Sequence, residues 1–179
     1  MGNIPALPII LILPFLYAAA LTVPVPKVSG ENLTELCSRA VDPTFCVESL
    51  ESDPRTAASD LRGLANISVG LATSNVTAAR RLVERLAEQE ADPVLRGRYE
   101  QCSGLYREAV KELKKAERSV GKGDFGGMGE WASMVLEKSE DCSDEFTVPP
   151  EEPAQLKESN RNVQHLCNVM YVIAVAIVG

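Results

Sequence analysis

The chain is short of histidine: His165 is the only one in 179 residues. Acid–base catalysis near neutral pH and many metal centres lean on imidazole, so most hydrolase and metalloenzyme mechanisms are hard to build here. Positive charge is also scarce. Eighteen Lys and Arg face 25 Asp and Glu, a net charge of −7 and a pI near 4.9. Binding to a nucleic-acid duplex needs a basic footprint, so no nucleic-acid partner is expected. None of the five cysteines stands in a close C-x(2–4)-C pair, so no zinc site is expected, and nothing calls for a cofactor. Alternation of polar and apolar residues long enough for a sheet is missing, as are internal repeats and any second domain. What is present, 45% apolar and 24% charged residues, suffices for one folded domain with its own core.

Residues Met1 to Ala20 carry no charged side chain. An apolar run from Ile4 to Leu16 leads into Ala18-Ala19-Ala20, a small-residue cleavage pattern, so 1–20 reads as a signal peptide removed on secretion. Pro5, Pro8 and Pro14 sit badly in a membrane span, and the uncharged tail from Leu166 to Val178 is too short for one. No membrane association is expected. Three sequons, at Asn32, Asn66 and Asn75, accord with an extracellular chain.

Three Asp-Pro pairs, Asp42-Pro43, Asp53-Pro54 and Asp92-Pro93, read as helix starts, because Asp caps a helix and Pro is pre-set for its first position. They predict a short helix around 32–40, a second from Pro43, a long third from Pro54 and a fourth from Pro93. The apolar seams have the helical period. They run through Leu61, Leu64, Ser68, Leu71, Asn75, Ala78 and Leu82, then Tyr99, Cys102, Tyr106, Ala109, Leu113, Ala116 and Val120. Met128, Ala132, Val135, Ser139 and Cys142 mark a further helix; Leu156, Val163, Leu166, Met170, Ile173 and Ile177 mark the last. Glycines at 121, 123, 126, 127 and 129 are expected to break the chain before the penultimate helix, and Pro149, Pro150 and Pro153 after it. The fold class is therefore all-α: a short helical hairpin over 31–53, then a four-helix bundle over 54–178.

The same register orders the cysteines. Cys102 and Cys142 lie on inward seams of neighbouring helices, and Cys37 and Cys46 flank the Asp42-Pro43 turn. An oxidising compartment favours two disulfides, Cys37–Cys46 and Cys102–Cys142, worth roughly 3 and 4 kcal/mol by chain entropy. Cys167 is left as a buried free thiol, with an intermolecular bridge as the other reading. His165, with no nucleophile motif around it, reads as a packed or surface helix residue. Asn75 falls on the inward seam, which leaves Asn32 and Asn66 as the glycosylation candidates.

Five stretches carry a family resemblance: Cys37 with Pro43-Thr44-Phe45-Cys46-Val47-Glu48-Ser49-Leu50; Asp53-Pro54-Arg55 with Asp60-Leu61-Arg62-Gly63-Leu64-Ala65; Cys102-Ser103-Gly104-Leu105-Tyr106-Arg107-Glu108-Ala109-Val110; Trp131-Ala132-Ser133-Met134-Val135-Leu136; and Cys142-Ser143-Asp144-Glu145-Phe146. From Leu36 to Val178 the chain resembles the plant invertase and pectin methylesterase inhibitor family, and within it the plane-tree pollen allergen type. The resemblance implies an N-terminal helical hairpin and an up-down four-helix bundle with two disulfides, and a secreted, non-catalytic inhibitor of cell-wall enzymes in the apoplast.

Which enzyme it stops turns on two segments. Family members acting on acid invertase can carry Pro-Lys-Phe after a Gly-Asp, whereas here Gly123-Asp124 is followed by Phe125-Gly126-Gly127. Trp131 to Leu136 and Cys142 to Phe146 look like the pectin methylesterase inhibitor versions. In that branch the acidic residue two after the fourth cysteine is implied to pair with an esterase lysine, and Asp144 holds that place. Asp141 stands where Thr is frequent. The resemblance thus implies a stoichiometric complex with plant pectin methylesterase in which Asp144 is a contact. Asp141 and Glu145 extend the same acidic end, with no intrahelical cation expected to neutralise it. Trp131 is a further contact candidate because Trp is enriched at hot spots, with partial core packing beside Ala132 as its other reading. The alternatives are inhibition of cell-wall or vacuolar acid invertase, or an allergen-like bundle without inhibitory activity.

Overall fold

The structure, a computed structural model, describes residues 30–179; the signal segment read at 1–20 lies outside the described residues. Six α-helices follow in order: α1 (Gly30–Cys37), α2 (Pro43–Glu51), α3 (Leu61–Gln89), α4 (Pro93–Gly121), α5 (Phe125–Asp144) and α6 (Ala154–Val178). No strand occurs among the described residues. α3 packs on α4, α4 on α5 and α5 on α6, and α6 closes the ring against α3, so the four long helices form an up-down bundle. α1 and α2 pair as a hairpin laid on α6, with α2 also touching α3.

Asp residues start four of the helices. Asp42 Oδ1 accepts from Phe45 N at 2.9 Å, Asp60 Oδ1 from Gly63 N at 2.8 Å, Asp92 Oδ1 from Val94 N at 2.7 Å, and Asp124 Oδ1 from Gly127 N at 2.9 Å. The first and third are the expected Asp-Pro starts. Asp53-Pro54 is not: only a turn and a single 3-10 turn, Thr56–Ala58, precede α3. Asp53 Oδ1 accepts instead from Arg55 N and Arg55 Nε, both at 2.9 Å. A carboxylate closed on a residue two positions ahead is an Asx turn rather than a cap.

The seams of α4 and α5 are buried at every expected position, from Tyr99 to Val120 and from Met128 to Cys142. In α3 the expected seam holds only at Leu64 and Ser68. Beyond Ser68 the buried line runs through Ala72, Val76, Ala79 and Val83, while Leu71, Asn75 and Leu82 are half-buried and Ala78 is exposed. One position of shift is a 100° turn, and small residues on the inside let α3 approach its neighbours closely. Asn75 therefore sits at the edge of the inward face, its Nδ2 donating to Leu71 O.

The glycine-rich segment differs too. The break is confined to Lys122-Gly123-Asp124, with Gly123 at φ +75°, and Gly126, Gly127 and Gly129 lie inside α5. A Cβ on Gly129 would stand 3.3 Å from the Ala174 Cβ, so this glycine brings α5 against α6. By length and composition α6 could cross a membrane, yet ten of its residues, Leu156 and Met170 among them, are buried in the bundle.

Candidate functional site

Both disulfides are present. Cys37–Cys46 closes the hairpin with Cα atoms 5.6 Å apart, and Cys102–Cys142 joins α4 to α5 at 4.8 Å. Cys167 is a buried free thiol. Burial, with the charge of Glu140 second, pushes it up to about 12. His165 is half-buried, edge-on to Phe45 with ring centroids 5.0 Å apart, and its Nδ1 lies 3.7 Å from Asp42 Oδ2. Together with the Val41 N–H, which donates to Asn168 Oδ1 at 2.8 Å, it seats the hairpin tip on α6. This is a docking contact, not a catalytic arrangement.

The acidic candidates come together where α4 begins and α5 ends. Asp141, Asp144 and Glu145 line a shallow open groove of about 580 Å³ with Arg98, Gln101, Leu105 and Val148. Asp144 is exposed, and Asp141 and Glu145 are partly so. The end of α5 is braced from several sides. Cys142 is bonded to α4, Phe146 packs on Tyr99 at 5.8 Å, and the Arg98 guanidinium lies over the Phe146 ring. Arg98 also donates to the carbonyls of Val148, Pro149 and Pro150, tying the loop after α5 to α4. It is committed to the loop and faces no carboxylate in these bonds.

The expectation of an unneutralised acidic end needs correction. Lys138 Nζ lies 3.6 Å from Asp141 Oδ2 and 4.0 Å from Glu108 Oε2 on α4. The i,i+3 spacing on one helix face brings Lys138 beside Asp141. Asp144 and Glu145 carry no such ion pair among the described residues.

Trp131 is not part of this groove. It stands ten residues before Asp141 on α5, about 15 Å along the axis. It is half-buried, with Lys115 Nζ 4.4 Å from its ring centroid and Lys115 also paired to Glu112 at 2.9 Å. Lys115 is thus a packing residue as well as part of a charged surface. Of the sequon residues, Asn32 and Asn66 are exposed, and Asn66 Nδ2 donates to Arg62 O.

A polar knot that the sequence pattern did not reveal lies beneath the groove. Asn160 of α6 is 1% exposed. Its Oδ1 accepts from the Tyr106 hydroxyl, and its Nδ2 donates to Ser143 Oγ at 2.9 Å and Glu152 Oε1 at 2.6 Å. Burial raises Glu152 above the ordinary carboxylate value and pushes Tyr106 above the usual phenol range. The available signal was positional: Asn160 falls four after Leu156 and three before Val163, on the inward seam. Among the described residues no group of carboxylates, histidines and cysteines is placed to hold a metal ion. The arrangement offers recognition rather than chemistry: a braced, mostly acidic groove on the α4–α5 face.

Comparison with known proteins bears on the family and the fold. The family model described as plant invertase/pectin methylesterase inhibitor matches residues 31–173. A pectinesterase inhibitor of Actinidia deliciosa is 34% identical over 156 residues, covering 86% of this chain and 84% of its own. A Platanus orientalis protein named for invertase inhibition is 27% identical over 129 residues, covering 72% and 76%. In fold, the chain resembles the crystal structure of a mutant form of a pectin methylesterase inhibitor from Arabidopsis. The TM-score is 0.73 at 21% identity, over 80% of this chain and 95% of that one.

Proposed function

Because the chain belongs to the plant invertase/pectin methylesterase inhibitor family, we propose that it is a secreted inhibitor that blocks a plant pectin methylesterase in a stoichiometric complex. The observation that carries this reading is the acidic groove at the end of α5, where Asp144 is exposed on a backbone held by a disulfide, an aromatic contact and the Arg98 clamp. A rigid carboxylate loses little freedom on meeting a lysine beside an enzyme cleft, so more of the pairing energy is kept as affinity. The 34% identity to a pectinesterase inhibitor supports the choice of target. So does Phe125-Gly126-Gly127 after Gly123-Asp124, which places no lysine there to meet an acidic glycosidase cleft. In this reading 1–20 is removed on export, the protein works in the apoplast, and Asn32 and Asn66 are the residues open to glycosylation.

Invertase inhibition is the second reading, favoured by the relative named for it. Titration of the refolded mature protein against a plant pectin methylesterase and an acid invertase decides between them. The expected result is one-to-one loss of esterase activity with invertase spared; the reverse overturns the proposal. Asp144→Ala is expected to raise the esterase inhibition constant roughly thirty-fold, about 2 kcal/mol for a desolvated charge pair, with both disulfides intact. Equal inhibition by both proteins removes Asp144 from the contact without touching the target.

A further inference from the structure

We propose, resting on the esterase reading above, that the Asn160 carboxamide is a positioning residue: buried in the core, it sets the aim of Asp144 through Ser143 and Glu152. Three segments border the acidic groove: α4, the last turn of α5 and the loop that follows it. One side chain on α6 bonds to all three. Tyr106 is on α4, Ser143 precedes Asp144 on α5, and Glu152 ends the loop.

The orientation of the carboxamide follows from the chemistry of its partners. An ionised Glu152 can only accept, so Nδ2 must face it, and Oδ1 is left for the Tyr106 hydroxyl. The two Nδ2 protons go to Ser143 and Glu152; Cys142 Sγ, at 3.6 Å, is the poorer acceptor. Both proton directions and one lone-pair direction are therefore engaged. Rotating the amide out of this pose would leave buried polar groups unpaired, which is costly. The Cys102–Cys142 bridge and the Tyr99–Phe146 contact hold the α5 end to α4, and the bonds of Asn160 fix it relative to α6.

The test uses acceptor deletions rather than loss of Asn160 itself, which would strand Glu152 and risk the fold. Ser143→Ala and Glu152→Ala each remove one acceptor; Ser143→Thr and Glu152→Gln keep an oxygen in place. Inhibition of pectin methylesterase is measured well below the melting temperature, with the melting temperature and amide hydrogen exchange over 141–148 measured alongside. The two alanine variants are expected to raise the inhibition constant roughly five-fold, the worth of a typical hydrogen bond, and to speed exchange in that segment. The conservative pair is expected to restore both. Alanine variants that melt earlier but inhibit and exchange like wild type overturn the positioning role and leave the knot as core filling. A wild type that spares the esterase overturns the functional reading instead, and exchange alone then decides whether the knot holds the acidic end.

Discussion

Two single residues show how burial changes chemistry that the sequence leaves open. Cys167 is the odd cysteine, and an unpaired thiol in an extracellular protein invites dimerisation. Here it is 2% exposed and burial pushes its thiol up to about 12. At pH 8 the thiolate fraction is then on the order of one in ten thousand, too little to attack a reagent or another chain. Ellman's reagent is expected to find no thiol in the native protein and one after denaturation without reductant. Glu152 shows the same effect on a carboxylate kept partly from water. Burial raises it, while Lys157 and the Asn160 bond oppose the rise. A carboxyl that holds its proton more tightly folded than unfolded costs stability when ionised, so stability is gained as pH falls through the folded value. Glu152→Gln keeps an acceptor for Asn160 without the charge. It is expected to raise the melting temperature at pH 7, with the gain vanishing once the pH is below the ordinary value of 4.5. Thermal melts across that range check the sign.

At the scale of elements, the helices were legible where apolar positions were unambiguous and obscure where two registers competed. α4 has one apolar line, Tyr99 to Val120, and every member is buried. α3 has two adjacent lines, one rich in Leu and one in Ala and Val, and transfer energy alone favours the larger side chains. Close helix packing reverses that choice and puts Ala72, Val76, Ala79 and Val83 inside. Lys138 beside Asp141 was readable from spacing of three. The partners of Asn160, Glu152 and Arg98 were not, because they lie on other segments and meet only in the tertiary fold. The start of α3 gives a direct check. Asp53-Pro54 has the stronger sequence signature, yet Asp60 makes the capping bond to Gly63 N. Asp60→Ala is expected to cost about 1 kcal/mol in urea unfolding, the usual worth of a cap. Asp53, held to about 2 by its bonds from the exposed Arg55, is only partly exposed and closes a turn rather than capping a helix, so Asp53→Ala is expected to shift the midpoint less than Asp60→Ala.

For the whole molecule the two disulfides have different duties, and removing each should show it. α1 and α2 have 8 and 9 residues, below the length at which a helix persists alone in water. Their order depends on Cys37–Cys46, on the buried side chains of Leu33, Leu36 and Leu50, and on contacts with α6 and α3, among them Phe45 on His165 and the adjoining Val41 on Asn168. Cys102–Cys142 instead joins two helices of 29 and 20 residues that already share a long buried interface. Its contribution lies in closing a 40-residue separation in the unfolded chain, roughly 4 kcal/mol by loop entropy. Replacing Cys102 and Cys142 together by Ser is therefore expected to lower the melting temperature of the bundle as a unit, by roughly 10 °C for a chain of this size. The Cys37→Ser, Cys46→Ser double variant is expected to act locally. Amide exchange should quicken over 30–51 while α3 to α6 stay protected, because the bundle's ring of contacts closes without the hairpin. Calorimetry and exchange on the two variants separate these outcomes. Global loss of protection in the hairpin variant would mean that α1 and α2 are part of the bundle's cooperative unit, and that the contacts on α6 outweigh the shortness of the two helices.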